Sequence, residues 1–326
     1  MNIGIIGSGA WGTAIACVAA DNGHNVVMWA RESEVVQEIN SAHTNERFLK
    51  GAQLATLIRA TSSMADVGEC DVAITATPTQ NVRSVLHDLD LNGKIIVNLA
   101  KGIEVGTHCR ISEIAAQTLG SGVRYVVLSG PSHAEEVIQR MPTTVVCAST
   151  DAESAHVVQE MLSIPSFRVY TSSDVAGVEI GGALKNIIAI AAGIVDGIGL
   201  GDNTKAALIS RGLAEIARLA IALGADPKTL YGLAGLGDLF VTCSSRHSRN
   251  RSVGERIGRG ETLQQITASM SAVAEGVTTT TAALELASSA GVELPITQKV
   301  YDILFKSEDP RKAIYDLMTR QARTEN

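Results

Sequence analysis

A Gly-x-Gly-x-x-Gly turn at residues 7–12, entered directly from the apolar run Ile3-Gly4-Ile5-Ile6, constrains this chain more than anything after it. Gly7 can take the tight backbone turn that ends a strand, Gly9 lets the main chain approach an anion, and Gly12 lets the next helix pack closely on a sheet. That helix aims its free N–H groups and the positive end of its dipole at the anion. The surroundings agree with this reading. Residues 3–6 read as a buried strand, 13–21 as an Ala-rich helix that stops at Asn22-Gly23, and 25–29 as a second strand at the spacing of a βαβ unit. A glycine turn alone is a weak signal; inside this frame it predicts a dinucleotide pyrophosphate held by Gly7, Gly9 and Gly12.

Apolar, β-branched runs recur at 71–77, 94–100, 124–129 and 143–148, with a last strand expected near 167–170. Continuous apolar strands belong to a sheet covered on both faces. Helical segments are expected between them at 32–41, 79–89, 110–119 and 134–139. From residue 174 the texture changes to long Ala/Leu/Ile/Gly segments at about 175–196, 203–223, 251–258, 262–269, 278–290, 296–305 and 310–319. The expected architecture is α/β: a doubly wound Rossmann-like parallel sheet domain over 1–173, then an all-helical domain over 174–326 that carries substrate binding and catalysis. At 326 residues and 45% hydrophobic content, two cored domains are affordable.

The net charge of −7 leaves no positive field for nucleic acid or an anionic membrane surface. The best apolar run, 187–195, ends at Asp196, short of the ~18 uninterrupted residues a membrane span needs. The apolar N-terminus has no basic leader region, so a cytoplasmic protein is expected. Five scattered cysteines without a C-x-x-C pair predict reduced core thiols rather than disulfides or a metal site.

Several polar residues stand where chemistry would need them. At the end of the second strand, where an acid usually accepts the ribose hydroxyls of NAD, the chain has Arg31-Glu32. A guanidinium at Arg31 suits a 2′-phosphate and so NADP, while Glu32 keeps NAD open. Two other strand ends present Lys101-Gly102 and Ser129-Gly130-Pro131-Ser132-His133 to the same crevice. His133 is a weaker candidate base, since a histidine at a helix start is commonly a cap. Lys185 is the only cation between Arg168 and Lys205, inside a small, apolar helix. Burial lowers an ammonium pKa toward neutrality, where the group can exchange a proton with a carbonyl being reduced. Asp238, framed by glycines in Gly-Leu-Gly-Asp-Leu, is a partner able to hold that lysine. Ser248-Arg249-Asn250 offers a forked guanidinium with hydroxyl and amide, a set suited to a phosphate monoester.

Together these motifs resemble the NAD(P)-dependent glycerol-3-phosphate dehydrogenases of bacterial type. The likeness runs through Gly-Ser-Gly-Ala-Trp-Gly at 7–12, Ala-Lys-Gly-Ile-Glu at 100–104, Ser-Gly-Pro-Ser at 129–132, Leu-Lys-Asn at 184–186, Gly-Leu-Gly-Asp-Leu at 235–239, Ser-Arg-Asn-Arg at 248–251 and Glu-Gly at 275–276. The resemblance implies Lys185 as general acid/base with Asp238 as partner. It implies substrate contacts at Lys101, Gly130, Ser132, Asn186, Thr242, Ser248, Arg249 and Asn250. Cofactor contacts are implied at Ala10, Trp11, Arg31, Lys101, Ala134, Arg249, Val273 and Glu275, with Ala10 replacing a serine often found in the family. It further implies NADP or NAD as cofactor, with NADPH at least as good as NADH, and reduction of dihydroxyacetone phosphate to sn-glycerol 3-phosphate for phospholipid synthesis. A homodimer without nucleic-acid or integral membrane association is expected. Two alternatives share the fold: a catalytically silent sensor of the NADPH pool, and a dehydrogenase of another acid or phosphate. Lys185 with Asp238 argues against the first, and Ser248-Arg249-Asn250 favours a small phosphorylated substrate over the second.

Overall fold

The computed structural model describes every residue except 90, 92, 121, 271–273, 322, 323, 325 and 326. One strand after another of β-branched residues forms an eight-stranded sheet from β1 (Asn2–Ile6), β2 (Asn25–Trp29), β3 (Ile58–Thr61), β4 (Val72–Thr75), β5 (Ile95–Asn98), β6 (Arg124–Ser129), β7 (Thr143–Ala148) and β8 (Phe167–Ser172). The strand order is β3-β2-β1-β4-β5-β6-β7-β8. Chain progression reverses between β1 and β4, which opens a crevice beyond the carboxyl ends of those strands. Ile3 and Ile5 of β1 face one buried core, and Ile6 faces the other. Both faces are covered, by α1 (Ala10–Asp21), α2 (Ser33–Ala42), α3 (Ala65–Gly68), α4 (Val82–His87), α5 (Ile111–Leu119), α6 (Ala134–Val137) and α7 (Ala152–Leu162).

Three sequence expectations change here. The sheet is not wholly parallel: β7 runs antiparallel to β6, with Leu128 opposite Cys147. The intervening α6 is only four residues long, too short to carry the chain back along the sheet for a parallel return. Strand β3 and helix α7 are additional elements. The edge strand β3 is four residues with Arg59 exposed, so it lacks an apolar run. Finally, α1 begins at Ala10 rather than Thr13, which places Ala10, Trp11 and Gly12 in its first turn.

The remainder is helical: α8 (Val175–Ile198), α9 (Asp202–Ala222), α10 (Pro227–Leu230), a π-turn (Leu233–Gly237), α11 (Asp238–Ser244), α12 (Arg249–Gly258), α13 (Leu263–Ser269), α14 (Glu275–Ser289), α15 (Pro295–Lys306) and α16 (Pro310–Met318). Helix α8 is the axis of this part. By length and composition alone, α8 is apolar enough over an 18-residue window to cross a membrane, although Glu179, Lys185 and Asp196 keep any uninterrupted apolar run short of that, as expected. That window is wholly buried inside the protein, and Leu184, Ile187 and Ile190 pack in the second core.

Helix α12 lies on α8 backbone to backbone. A Cβ on Gly193 would collide with the Arg251 carbonyl oxygen, and one on Gly254 with the Ile190 carbonyl oxygen. Small residues at this spacing let two helices approach closely, and the approach sets where the start of α12, at Ser248, Arg249 and Asn250, stands relative to Lys185. The first turns of α8 are fixed to the sheet side by Glu179. Its carboxylate accepts from Tyr125 Oη (2.7 Å), Ser112 N–H (2.8 Å), Ser112 Oγ (2.6 Å) and Arg110 Nη1 (3.1 Å).

Candidate active site

The crevice chemistry starts where β5 ends. Asn98 folds the chain there, accepting from Ala100 N–H at 3.0 Å and donating to the Ala100 carbonyl at 3.0 Å. Lys101 is thereby turned toward the helical part. Its Nζ donates to Asp238 Oδ2 (2.7 Å) and to the Gly130 carbonyl (3.2 Å). From the opposite side Lys185 Nζ donates to Asp238 Oδ1 (2.6 Å) and Thr242 Oγ1 (2.8 Å). Asp238 follows the π-turn as the first residue of α11, and Thr242, one helical turn on, gives its hydroxyl proton to the Asp238 carbonyl (2.6 Å). Ser129 Oγ reaches Asp238 Oδ2 at 3.4 Å.

Lys185 is 6% exposed and Asp238 1%. Burial, reinforced by the positive charge of Lys101 and opposed by Asp238, lowers Lys185 to about 8. Burial pushes Asp238 up, but the ammonium groups of Lys101 and Lys185 outweigh it and hold the carboxyl below its usual value. Two ammonium groups on one carboxylate leave a net positive charge in a dry place, which favours an incoming anion or a developing oxyanion. His133, the N-cap residue of α6, has its pKa lowered by burial and then by Lys185. Its Nε2 is buried without a partner among the described residues, and its ring centroid is 5.8 Å from that of His247.

The other expected substrate residues surround this cluster in different ways. Asn186 donates to the Lys101 carbonyl (3.2 Å), Asn250 donates to Asn186 Oδ1 (2.9 Å), and Gly276 N–H donates to Asn250 Oδ1 (3.0 Å). The amides of Asn186 and Asn250 therefore form a relay from α14 to the Lys101 backbone. Ser248 is the N-cap of α12, accepting from Arg251 N–H at 3.2 Å. Arg249 is exposed beside it, with no side-chain partner among the described residues. Arg251 is different: its Nη1 donates to Asp196 at 2.7 Å, so it is committed to the fold. Ser132 Oγ donates to the Gly130 carbonyl at 2.9 Å, and Gly130 adopts φ +136° against Val145.

A dinucleotide fits the other half of the crevice. Gly7 takes φ +117°, and a Cβ on Gly12 would collide with the Gly7 carbonyl. Gly9 is the N-cap of α1, no side chain caps that helix, and open space lies where its Cβ would be. The first-turn N–H groups, those of Ala10 and Trp11 among them, are thus left for an anion. The Trp11 ring packs toward Phe167, centroids 6.4 Å apart, so its backbone is what it offers at the turn. Ala134 starts α6 and is buried. Glu275, the first residue of α14, accepts from Thr79 N–H (2.8 Å), Thr79 Oγ1 (3.0 Å) and Lys101 N–H (3.3 Å), tying two strand-end loops to the helical part. Arg31 is 80% exposed at its side chain and pairs with Glu32 at 3.0 Å. Val273 lies outside the described residues.

Sequence reasoning missed three participants: Thr79, Glu179 and the ion pair between Lys101 and Asp238. Glu179 had a usable signal, being a carboxylate in the apolar first half of a long helix. The other two depend on which loops meet.

The chain is similar to known proteins along nearly its whole length. The family description "NAD-dependent glycerol-3-phosphate dehydrogenase N-terminus" matches residues 2–155, and the corresponding "C-terminus" matches 174–315. The chain is 50% identical to a glycerol-3-phosphate dehydrogenase [NAD(P)+] of Chlorobium limicola, over 100% of this chain and 99% of that protein. It is 51% identical to one of Geobacillus kaustophilus, over 99% and 96%. The crystal structure of glycerol-3-phosphate dehydrogenase from Coxiella burnetii superposes with a TM-score of 0.93 at 36% identity, covering 98% of this chain and 99% of that one. The chain belongs to the NAD-dependent glycerol-3-phosphate dehydrogenases and is an NAD(P)-dependent oxidoreductase.

Proposed function

We propose that Lys185 gives and takes the proton in this family's reaction, the reversible reduction of dihydroxyacetone phosphate to sn-glycerol 3-phosphate with NAD(P)H. A bound nicotinamide supplies the hydride that adds to the carbonyl carbon. Negative charge then develops on the carbonyl oxygen. A Lys185 ammonium within reach stabilises that charge and supplies the proton, becoming a neutral amine that solvent recharges. The single observation that carries this reading is the buried contact of Lys185 with Asp238 and Thr242, with Lys185 brought down to about 8. Asp238 keeps the ammonium aimed and stops its pKa from falling further.

In this reading residues 1–173 bind the cofactor and 174–326 complete the substrate site. Gly7, Gly9, Ala10, Trp11 and Gly12 hold the pyrophosphate, Arg31 meets the adenosine ribose, and Ala134, Glu275, Lys101 and Arg249 complete the cofactor contacts among the described residues. Lys101, Gly130, Ser132, Asn186, Thr242, Ser248, Arg249 and Asn250 form the substrate side, with Arg249 reading the phosphate. NADPH works at least as well as NADH. The enzyme acts as a cytoplasmic homodimer and its product feeds phospholipid synthesis.

The test follows the absorbance of reduced nicotinamide with dihydroxyacetone phosphate and each cofactor in turn. Turnover by the parent protein that collapses in Lys185→Ala, with cofactor binding intact, is the expected outcome. Turnover equal to the parent in that variant removes Lys185 from the proton step.

A further inference from the structure

The segment after α2 holds a cluster that the proton chemistry does not use. Asn45 is fully buried, and its side-chain amide donates to the Ser8 carbonyl (2.9 Å) and to Thr13 Oγ1 (2.8 Å). Ser8 lies inside the glycine turn, so this segment is fastened to the pyrophosphate site itself. It is held from α2 as well, because Glu38 Oε1 accepts from Thr44 Oγ1 (2.7 Å) and from Glu46 N–H (2.8 Å). Arg47 therefore projects from a fixed backbone. Its Nη2 lies 3.9 Å from Glu32 Oε1, the oxygen that Arg31 Nη2 approaches at 3.0 Å. Arg47 Cζ is also 5.3 Å from the Phe48 ring centroid, a contact that favours keeping the guanidinium nearby.

The charges at this spot are unusual for the end of β2. A lone carboxylate there accepts ribose hydroxyls and repels a 2′-phosphate. Here the Glu32 side chain is 16% exposed and sits under two guanidinium groups, whose side chains are 80% and 55% exposed. The cluster carries a net positive charge. Both arginines remain largely open to solvent, where a ligand can reach them. A phosphate monoester, with ~−1.5 to −2 charge near neutrality, competes well with one carboxylate for two forked donors.

We propose that Arg47 is a second reader of the cofactor's 2′-phosphate, acting with Arg31, and that Glu32 is the carboxylate both arginines release when that phosphate enters. With a cofactor that lacks the 2′-phosphate, Glu32 serves the ribose hydroxyls instead. One cluster thus accommodates both cofactors. The inference rests on the reading of the β2 end as the adenosine-ribose site.

Calorimetric titration of the full-length protein with NADPH and with NADH, without substrate, tests it in Arg47→Ala, Arg31→Ala and Glu32→Gln. The expected result is a loss of about 5- to 20-fold in NADPH affinity for Arg47→Ala, the scale of one partly exposed charge-assisted contact, with NADH affinity within about twofold of the parent. Glu32→Gln should weaken NADH more than NADPH. Parent-like NADPH binding in Arg47→Ala alongside a loss in Arg31→Ala overturns the role of Arg47 and leaves the ribose site in place. Equal weakening of both cofactors in Arg47→Ala also overturns it, since the residue then only supports the turn. If neither arginine variant changes the ratio of the two affinities, the ribose-site reading itself falls, and the proposal with it.

Discussion

Lys101 and Lys185 bind opposite oxygens of the same buried carboxylate, at 2.7 Å and 2.6 Å from Asp238. One lysine comes from the end of a sheet strand and the other from the central helix, so this carboxylate joins the sheet to the helical part of the protein. The arrangement lets Asp238 oppose the lowering of the Lys185 pKa and fix the place of Lys101. An ion pair this deeply buried is costly to leave half-made, because either partner alone would be an uncompensated charge.

Replacing Lys185 by alanine should lower kcat by roughly 10²- to 10⁴-fold, the scale of a positioned acid or base. NADPH affinity, measured by titration without substrate, should stay at the parent value. Lys185→Arg should not recover turnover, since a guanidinium holds its proton too tightly to exchange it. If Lys185→Ala turns over normally, His133, half-buried and with no partner at Nε2 among the described residues, is the next donor to examine.

The pH dependence follows from the lowered Lys185. Reduction needs the ammonium, so kcat/KM for dihydroxyacetone phosphate should fall as pH rises through about 8. Oxidation of sn-glycerol 3-phosphate needs the free amine, and its kcat/KM should rise through the same range. Asp238 opposes the lowering, so Asp238→Asn should move both limbs to lower pH. Limbs that stay in place in that variant would separate Asp238 from the titration.

Arg249 offers an exposed guanidinium at the start of α12. Its loss should raise KM for dihydroxyacetone phosphate by about tenfold or more, since charge-assisted hydrogen bonds contribute on the order of 1.5–3 kcal/mol and solvent screening reduces that here. Unphosphorylated dihydroxyacetone should be almost indifferent to the change. Equal losses on the two substrates would mean that Arg249 does not read the phosphate.

The contact of α8 with α12 can be tested away from the charged groups. Gly254→Ala places a methyl against the Ile190 carbonyl, and overpacking of this kind costs about 1–3 kcal/mol. A lower melting temperature should accompany a higher KM, because the start of α12 would be displaced relative to Lys185. An unchanged melting temperature would show that the helices separate there without cost.

The sequence by itself determined the elements whose signals are local. Strand β1, the glycine turn and the following helix are read from adjacent residues, because a φ of +117° at Gly7 and an uncapped helix start are properties of a few neighbouring positions. The buried strands β4 to β7 were legible because both faces of the sheet are covered and their central positions are apolar. Lys185 was legible for the converse reason, a charge in an apolar helix needing a partner. Tertiary structure alone decided the antiparallel turn of β7, the short edge strand β3, the relay from Gly276 through Asn250 and Asn186 to Lys101, and the sharing of Asp238 by two lysines. Each depends on segments distant in the chain arriving at one place. For the relay and the shared carboxylate that placement is set by packing, above all by the glycine contact of α8 with α12 and the anchoring of Glu179, whereas local propensity acts only over a turn or a strand.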